Sequence, residues 1–164
     1  MRSKIVPPAR DREFLLAVRD ALPLVPGSED DCCTRIRDRT AVESRAAARE
    51  WLTFCLALGL AAETDRGYHR RRGNPDRAEL ADRLVEHVFP TRELLAALEA
   101  DGPLGTAAAF EALRADIPRW ERSRSADWDA EWEERLGRLL GWCVAFGLAT
   151  HGPAGYRRAT PSEE

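Results

Sequence analysis

The side chains of this 164-residue chain that could do chemistry are mostly arginines, and their grouping suits phosphate better than catalysis. Arg35, Arg37 and Arg39 precede a long apolar-striped segment, Arg45 and Arg49 fall on its early turns, and Arg66, His69, Arg70, Arg71 and Arg72 follow it. That order predicts a footprint on a nucleic-acid backbone, where each guanidinium displaces condensed counterions. Arg45 could also read guanine through two parallel N–H donors. The competing expectation is a solvated face whose arginines pair with local acids.

Other chemistries lack their parts. There is no phosphate-cradling glycine-lysine loop, G-x-S-x-G elbow, H-E-x-x-H or paired C-x-x-C. His69, His87 and His151 lie far apart, and a Cys32 or Cys33 nucleophile would need a base brought to it by the fold. Cys55 and Cys143 sit in helix-like apolar runs and are expected as small core residues; the cysteine spacing suits reduced thiols rather than a disulfide framework. Asp127, Asp129, Glu131, Glu133 and Glu134 could attract a divalent cation, but without a second ligand group they suit the start of a helix, where acids complement the dipole. The reading is therefore non-enzymatic, with no catalytic residue, no metal and no cofactor.

The elements that must position these residues are announced by a repeat. Phe54 to Arg70 and Trp142 to Arg158 align without a gap at an offset of 88 residues, with eight identities in seventeen positions. Each copy has a long apolar helix, a Gly-Leu-Ala step that stops it (Gly59 or Gly147), and a Gly-Tyr-basic segment that reads as the return strand of a hairpin. Upstream, Phe14, Leu15, Val18 and Leu22 share one helical face, a short helix is expected over 31–37, and Thr40 to Glu43 matches a capping box that would start the long helix near Ala41. After the first hairpin Asn74 is the expected cap of a connecting helix running to Phe89, and further helices are then expected over 92–100 and, capped by Thr106, to about Ile117. Residues 120–126 read as a loop before a second long helix striped by Trp128, Trp132, Leu136, Leu139, Leu140 and Cys143.

Helix followed by hairpin, twice, resembles the winged helix-turn-helix superfamily, and more narrowly the haloarchaeal proteins that carry such repeats. The fold expected is mainly α with short β-hairpins, an α+β arrangement of two tandem winged-helix-like units. Unit 1 covers 1–73, a connecting helix 74–89, unit 2 90–160, and a frayed tail 161–164. The resemblance would put Ser44, Arg45, Ala48 and Arg49 in a DNA major groove and Arg70 to Arg72 on the backbone.

Charge separates the halves. Residues 1–75 carry +3 and residues 76–164 carry −6, within a chain of net charge −3 and 44% hydrophobic residues. Of the 25 basic residues only Lys4 is a lysine, which points to a GC-rich coding sequence. Two functions follow: a DNA-binding regulator that holds DNA through unit 1 and dimerises or recruits a partner through acidic unit 2; or a protein adaptor presenting both units, as winged helices of the ESCRT-II and segregation-scaffold kinds do. Trp120 and Trp128 are the candidate protein anchors. A homodimer is compatible with either. The apolar stretch from Phe54 to Ala62 is too short to span a bilayer and no signal sequence is visible, so a cytoplasmic protein without membrane insertion is expected.

Overall fold

A computed structural model describes residues 2–159; Thr160 and the tail expected to fray, 161–164, lie outside the described residues. The chain forms α1 (Arg12–Ala21), α2 (Glu29–Arg39), α3 (Arg45–Ala57), β1 (Ala61–Thr64), β2 (Gly67–Arg70), α4 (Arg77–His87), α5 (Thr91–Asp101), α6 (Thr106–Leu113), α7 (Arg119–Arg122), α8 (Trp128–Ala145), β3 (Ala149–Gly152) and β4 (Gly155–Arg158). The hairpins β1–β2 and β3–β4 are antiparallel, and in both the register places the repeat glycine beside the turn: Thr64 opposes Gly67 and Gly152 opposes Gly155.

The repeat residues do the same work twice. Each long helix ends with glycine in the left-handed region, Gly59 at φ 70° and Gly147 at φ 78°. The next amide closes a six-residue turn onto the cysteine carbonyl, Leu60 N–H to Cys55 at 2.8 Å and Leu148 N–H to Cys143 at 2.7 Å. Gly67 and Gly155, both at φ 123°, admit a bridging residue at the hairpin edge: Gly27 exchanges two hydrogen bonds with Tyr68, and Leu104 exchanges two with Tyr156. A side chain at Gly67 would overlap the Gly27 carbonyl, and one at Gly155 would come within 2.6 Å of Leu104. Helix, bridging residue, two helices and hairpin therefore occur in both halves. The second copy spends eleven more residues between bridge and tyrosine, and that extra length carries α7 and Trp120.

The two units share one core. Phe54 on α3 meets Trp142 on α8 at 4.7 Å between ring centroids, and Glu50 accepts a hydrogen bond from Arg138 at 2.9 Å. Both pairs are equivalent repeat positions meeting each other, the mark of an isologous, two-fold-like contact. Trp51 joins it edge-on to Trp142 at 5.7 Å. The N-terminal segment lies across this junction, with the Pro7 carbonyl accepting from Trp142 Nε1 and the Val6 carbonyl from Arg138. From α4, Arg83 donates to the Leu58 carbonyl at the end of α3, where a cation complements the helix dipole.

Several local expectations are corrected. Thr40 does not cap α3; its hydroxyl donates back to the Ile36 carbonyl at the end of α2, and Ser44 caps α3 instead, accepting from Ala47 N–H. Asp76, not Asn74, caps α4, because the Asn74 side chain is taken up by Arg19. Thr106 is the first residue of α6 and makes no capping bond. Within 120–126 the first residues continue a short helix, since the Pro118 carbonyl accepts from the Glu121 and Arg122 amides.

Candidate functional site

The face that would meet DNA is assembled by α2, α3 and the first hairpin, and its arginines do not form one free patch. Ser44 is exposed but occupied as the cap of α3. Arg45 pairs with Asp30, and Arg49 with Glu29 at 2.8 Å, so both early-turn guanidinia are held by the acidic first turn of α2. The Asp30 hydrogen bond raises the Arg45 pKa further above its ordinary value. Arg35 is half-buried and donates to the Ala21 carbonyl at the end of α1. Arg37 and Arg39 stand exposed in the last turn of α2.

In the hairpin, Arg66 is exposed at the turn, His69 lies on β2 with Nδ1 3.0 Å from the Arg70 carbonyl, and Arg70 Nη1 donates to the Asp20 carbonyl at 2.7 Å. Arg71 and Arg72 leave the hairpin exposed. Their backbone is anchored from beneath by buried Arg19, which donates to the Arg71 carbonyl at 3.1 Å, to the Gly73 carbonyl and to Asn74 Oδ1. Among the described residues, Arg37, Arg39, Arg66, Arg71 and Arg72 enter no ion pair. The structure thus brings Arg45 and Arg49 to Glu29 and Asp30 and leaves the hairpin arginines apart from them.

The tryptophan anchors part company. Trp128 is half-buried, its ring 5.8 Å from Phe110 with the Arg114 guanidinium 5.2 Å over it. Trp120 is 59% exposed, with Lys4 Nζ 4.9 Å above its ring. Near it, Glu121 is buried among Lys4, Arg124 and Arg135; burial alone would raise its pKa, but the Lys4 hydrogen bond and the three cations outweigh that and hold it below the usual carboxylate range.

Nucleophilic chemistry finds little support in the thiols. All four cysteines are free and buried, and burial pushes Cys32 up to about 11 and Cys55 and Cys143 up to about 12. Among the described residues no group of three or more His, Cys, Asp or Glu side chains could hold a metal ion, and no helix is long and apolar enough to cross a membrane.

Sequence reasoning missed Glu29 and Asp30 as partners of the α3 arginines, although a run of acids at the start of α2 was visible. It also missed Glu50 with Arg138, two positions 88 residues apart that only the meeting of α3 and α8 brings together. The involvement of residues 2–7 had no local signal.

Comparison with known proteins agrees with this architecture. The profile described as Halobacterial double winged helix domain matches residues 1–163. No curated protein and no solved structure matched the chain.

Proposed function

Since the chain belongs to the halobacterial double winged helix family, we propose that it is a non-enzymatic protein–protein adaptor, two winged helices joined through α3 and α8 into one body that presents its outer surfaces to partners. The observation that carries this reading is the capture of Arg45 and Arg49 by Asp30 and Glu29. Two cations against two anions leave the α3 face neutral, and exposed Asp31 beside them turns it negative. A phosphate approaching α3 meets no net attraction there, and a major-groove helix without it loses the electrostatic term that dominates DNA affinity. The second unit adds Asp129, Glu131, Glu133 and Glu134 on α8, and Glu134 reaches the inter-unit contact through Arg138. A self-complementary contact between equivalent repeat positions is made inside one chain by Phe54 and Trp142.

A second reading, a DNA-binding regulator, is favoured by one observation: Arg37, Arg39, Arg66, Arg71 and Arg72 remain outside any ion pair among the described residues. Such a protein would hold DNA through the hairpin and the end of α2 rather than through α3. The two are separated by affinity capture of the tagged chain with and without nuclease. A stoichiometric protein partner that survives nuclease is expected; no protein partner, together with sequence-specific DNA binding whose affinity falls as salt rises, would overturn the adaptor.

A further inference from the structure

The N-terminal segment builds a second feature, apart from the arginine face of α3. Ser3 pairs as a short parallel bridge with the chain after α4, its N–H donating to the His87 carbonyl and its carbonyl accepting from Phe89 N–H, both at 2.7 Å. Residues 2–5 then form one wall of a groove of about 440 Å³, whose other surfaces are Phe89, Pro118, Trp120, Glu121 and Trp132.

Each aromatic ring of this groove carries a cation. Arg2 lies 4.9 Å over Phe89, Lys4 4.9 Å over Trp120 and Arg135 4.9 Å over Trp132. Within ion-pair distance Arg2 meets Glu93, and Lys4, Arg124 and Arg135 all meet Glu121, so four cations rest on two carboxylates. Arg135 Nη1 is buried without a hydrogen-bond acceptor. The backbone N–H and carbonyl of Lys4 make no hydrogen bond among the described residues, so the edge of the bridge is unpaired there.

We propose that this groove is the docking site for an extended, acidic segment of a partner protein, one that seats a single aromatic or leucine side chain between Trp120 and Phe89 and lays its flanking carboxylates against Lys4, Arg124 and Arg135. The open edge at Lys4 supplies main-chain hydrogen bonds to an added strand, and the groove reads the alternate side chain, as in other strand-addition sites. Exposed Trp120 is the anchor, because a large ring already outside the core costs little to bury against a partner. The proposal rests on the adaptor reading and supplies it with a contact point.

The test uses the full ¹⁵N-labelled chain titrated with a blocked synthetic peptide in which one Phe is flanked by alternating Asp and Val, and with its counterpart carrying Lys for Asp. Saturable shifts confined to the Trp120 indole N–H and the Lys4 and Phe89 amides are expected with the acidic peptide and none with the basic one. Trp120→Ala, at an exposed position that leaves the fold intact, weakens binding roughly tenfold or more, and Lys4→Gln weakens it as well. No saturable shift, equal binding of the basic peptide, or an affinity unchanged by Trp120→Ala overturns the proposal. So does self-association abolished by Trp120→Ala, which makes a second copy the occupant. A nuclease-resistant partner captured equally by the Trp120→Ala chain removes this groove and leaves the adaptor reading standing.

Discussion

If Glu29 and Asp30 hold Arg45 and Arg49 away from phosphate, neutralising those two acids releases two arginines. The double variant Glu29→Gln, Asp30→Asn removes both ion pairs and leaves the two hydrogen-bonding side chains nearly unchanged in size. Arg45 and Arg49 are 53% and 66% exposed, so solvent screens both pairs and little stability goes with them. Two newly available cations steepen the slope of log K against log salt by roughly 1.8, whatever number of arginines the wild type already uses. Over a fourfold rise in salt, from about 50 to about 200 mM, the variant therefore loses roughly twelvefold more affinity for a duplex than the wild type, starting from tighter binding at the low-salt end. Fluorescence anisotropy with a labelled random-sequence duplex measures both slopes. Parallel slopes, with no gain at low salt, would refute the reasoning: Arg45 and Arg49 would already be contacting phosphate, and the pairs with α2 would not decide the function of this face.

Three further outcomes test the architecture. Gly67→Ala should cost about 3–4 kcal/mol, from positive-φ strain and the two Gly27–Tyr68 hydrogen bonds. Gly73→Ala, at φ 100° with open space around it, should cost only about 1–2 kcal/mol in urea unfolding, and equal costs would remove the close approach of Gly27 as the cause. Trp142→Ala should cost about 3–5 kcal/mol, and far-UV circular dichroism and tryptophan fluorescence should still report one transition; two separated transitions would mean that the units fold apart. Glu93, bonded to Arg2, is held below its ordinary pKa of 4.5, so its contribution is complete above that pH and is lost as pH falls through the lower folded value. Glu93→Gln should therefore lower Tm near neutrality and flatten its decline below pH 4.5, and an acid limb as steep as in the wild type would count against that pair.

Much of the fold was legible because its signals are local. A glycine that stops a helix, a Gly-Tyr step beside a turn and a buried cysteine three positions before the helix cap each depend on neighbours within a few residues, and the 88-residue offset showed them twice. The helix starts were less legible: Thr40, Asn74 and Thr106 are all competent caps, and what moved the caps to Ser44, Asp76 and Gly105 was the bond each side chain found elsewhere or failed to make. The candidate surface was half legible. The sequence by itself determined where the arginines lie on α2, α3 and the hairpin, since periodicity and order along the chain place them. Only the tertiary structure decided which arginines stay free, because that depends on which acid a fold brings within reach. Asp30 and Arg45 are fifteen residues apart, Glu50 and Arg138 eighty-eight, and Lys4 and Glu121 one hundred and seventeen. Ion pairs of such separation are set by how α2 crosses α3, how α3 meets α8 and where the N-terminal strand is laid, and no local pattern encodes a contact whose two halves are positioned by different elements.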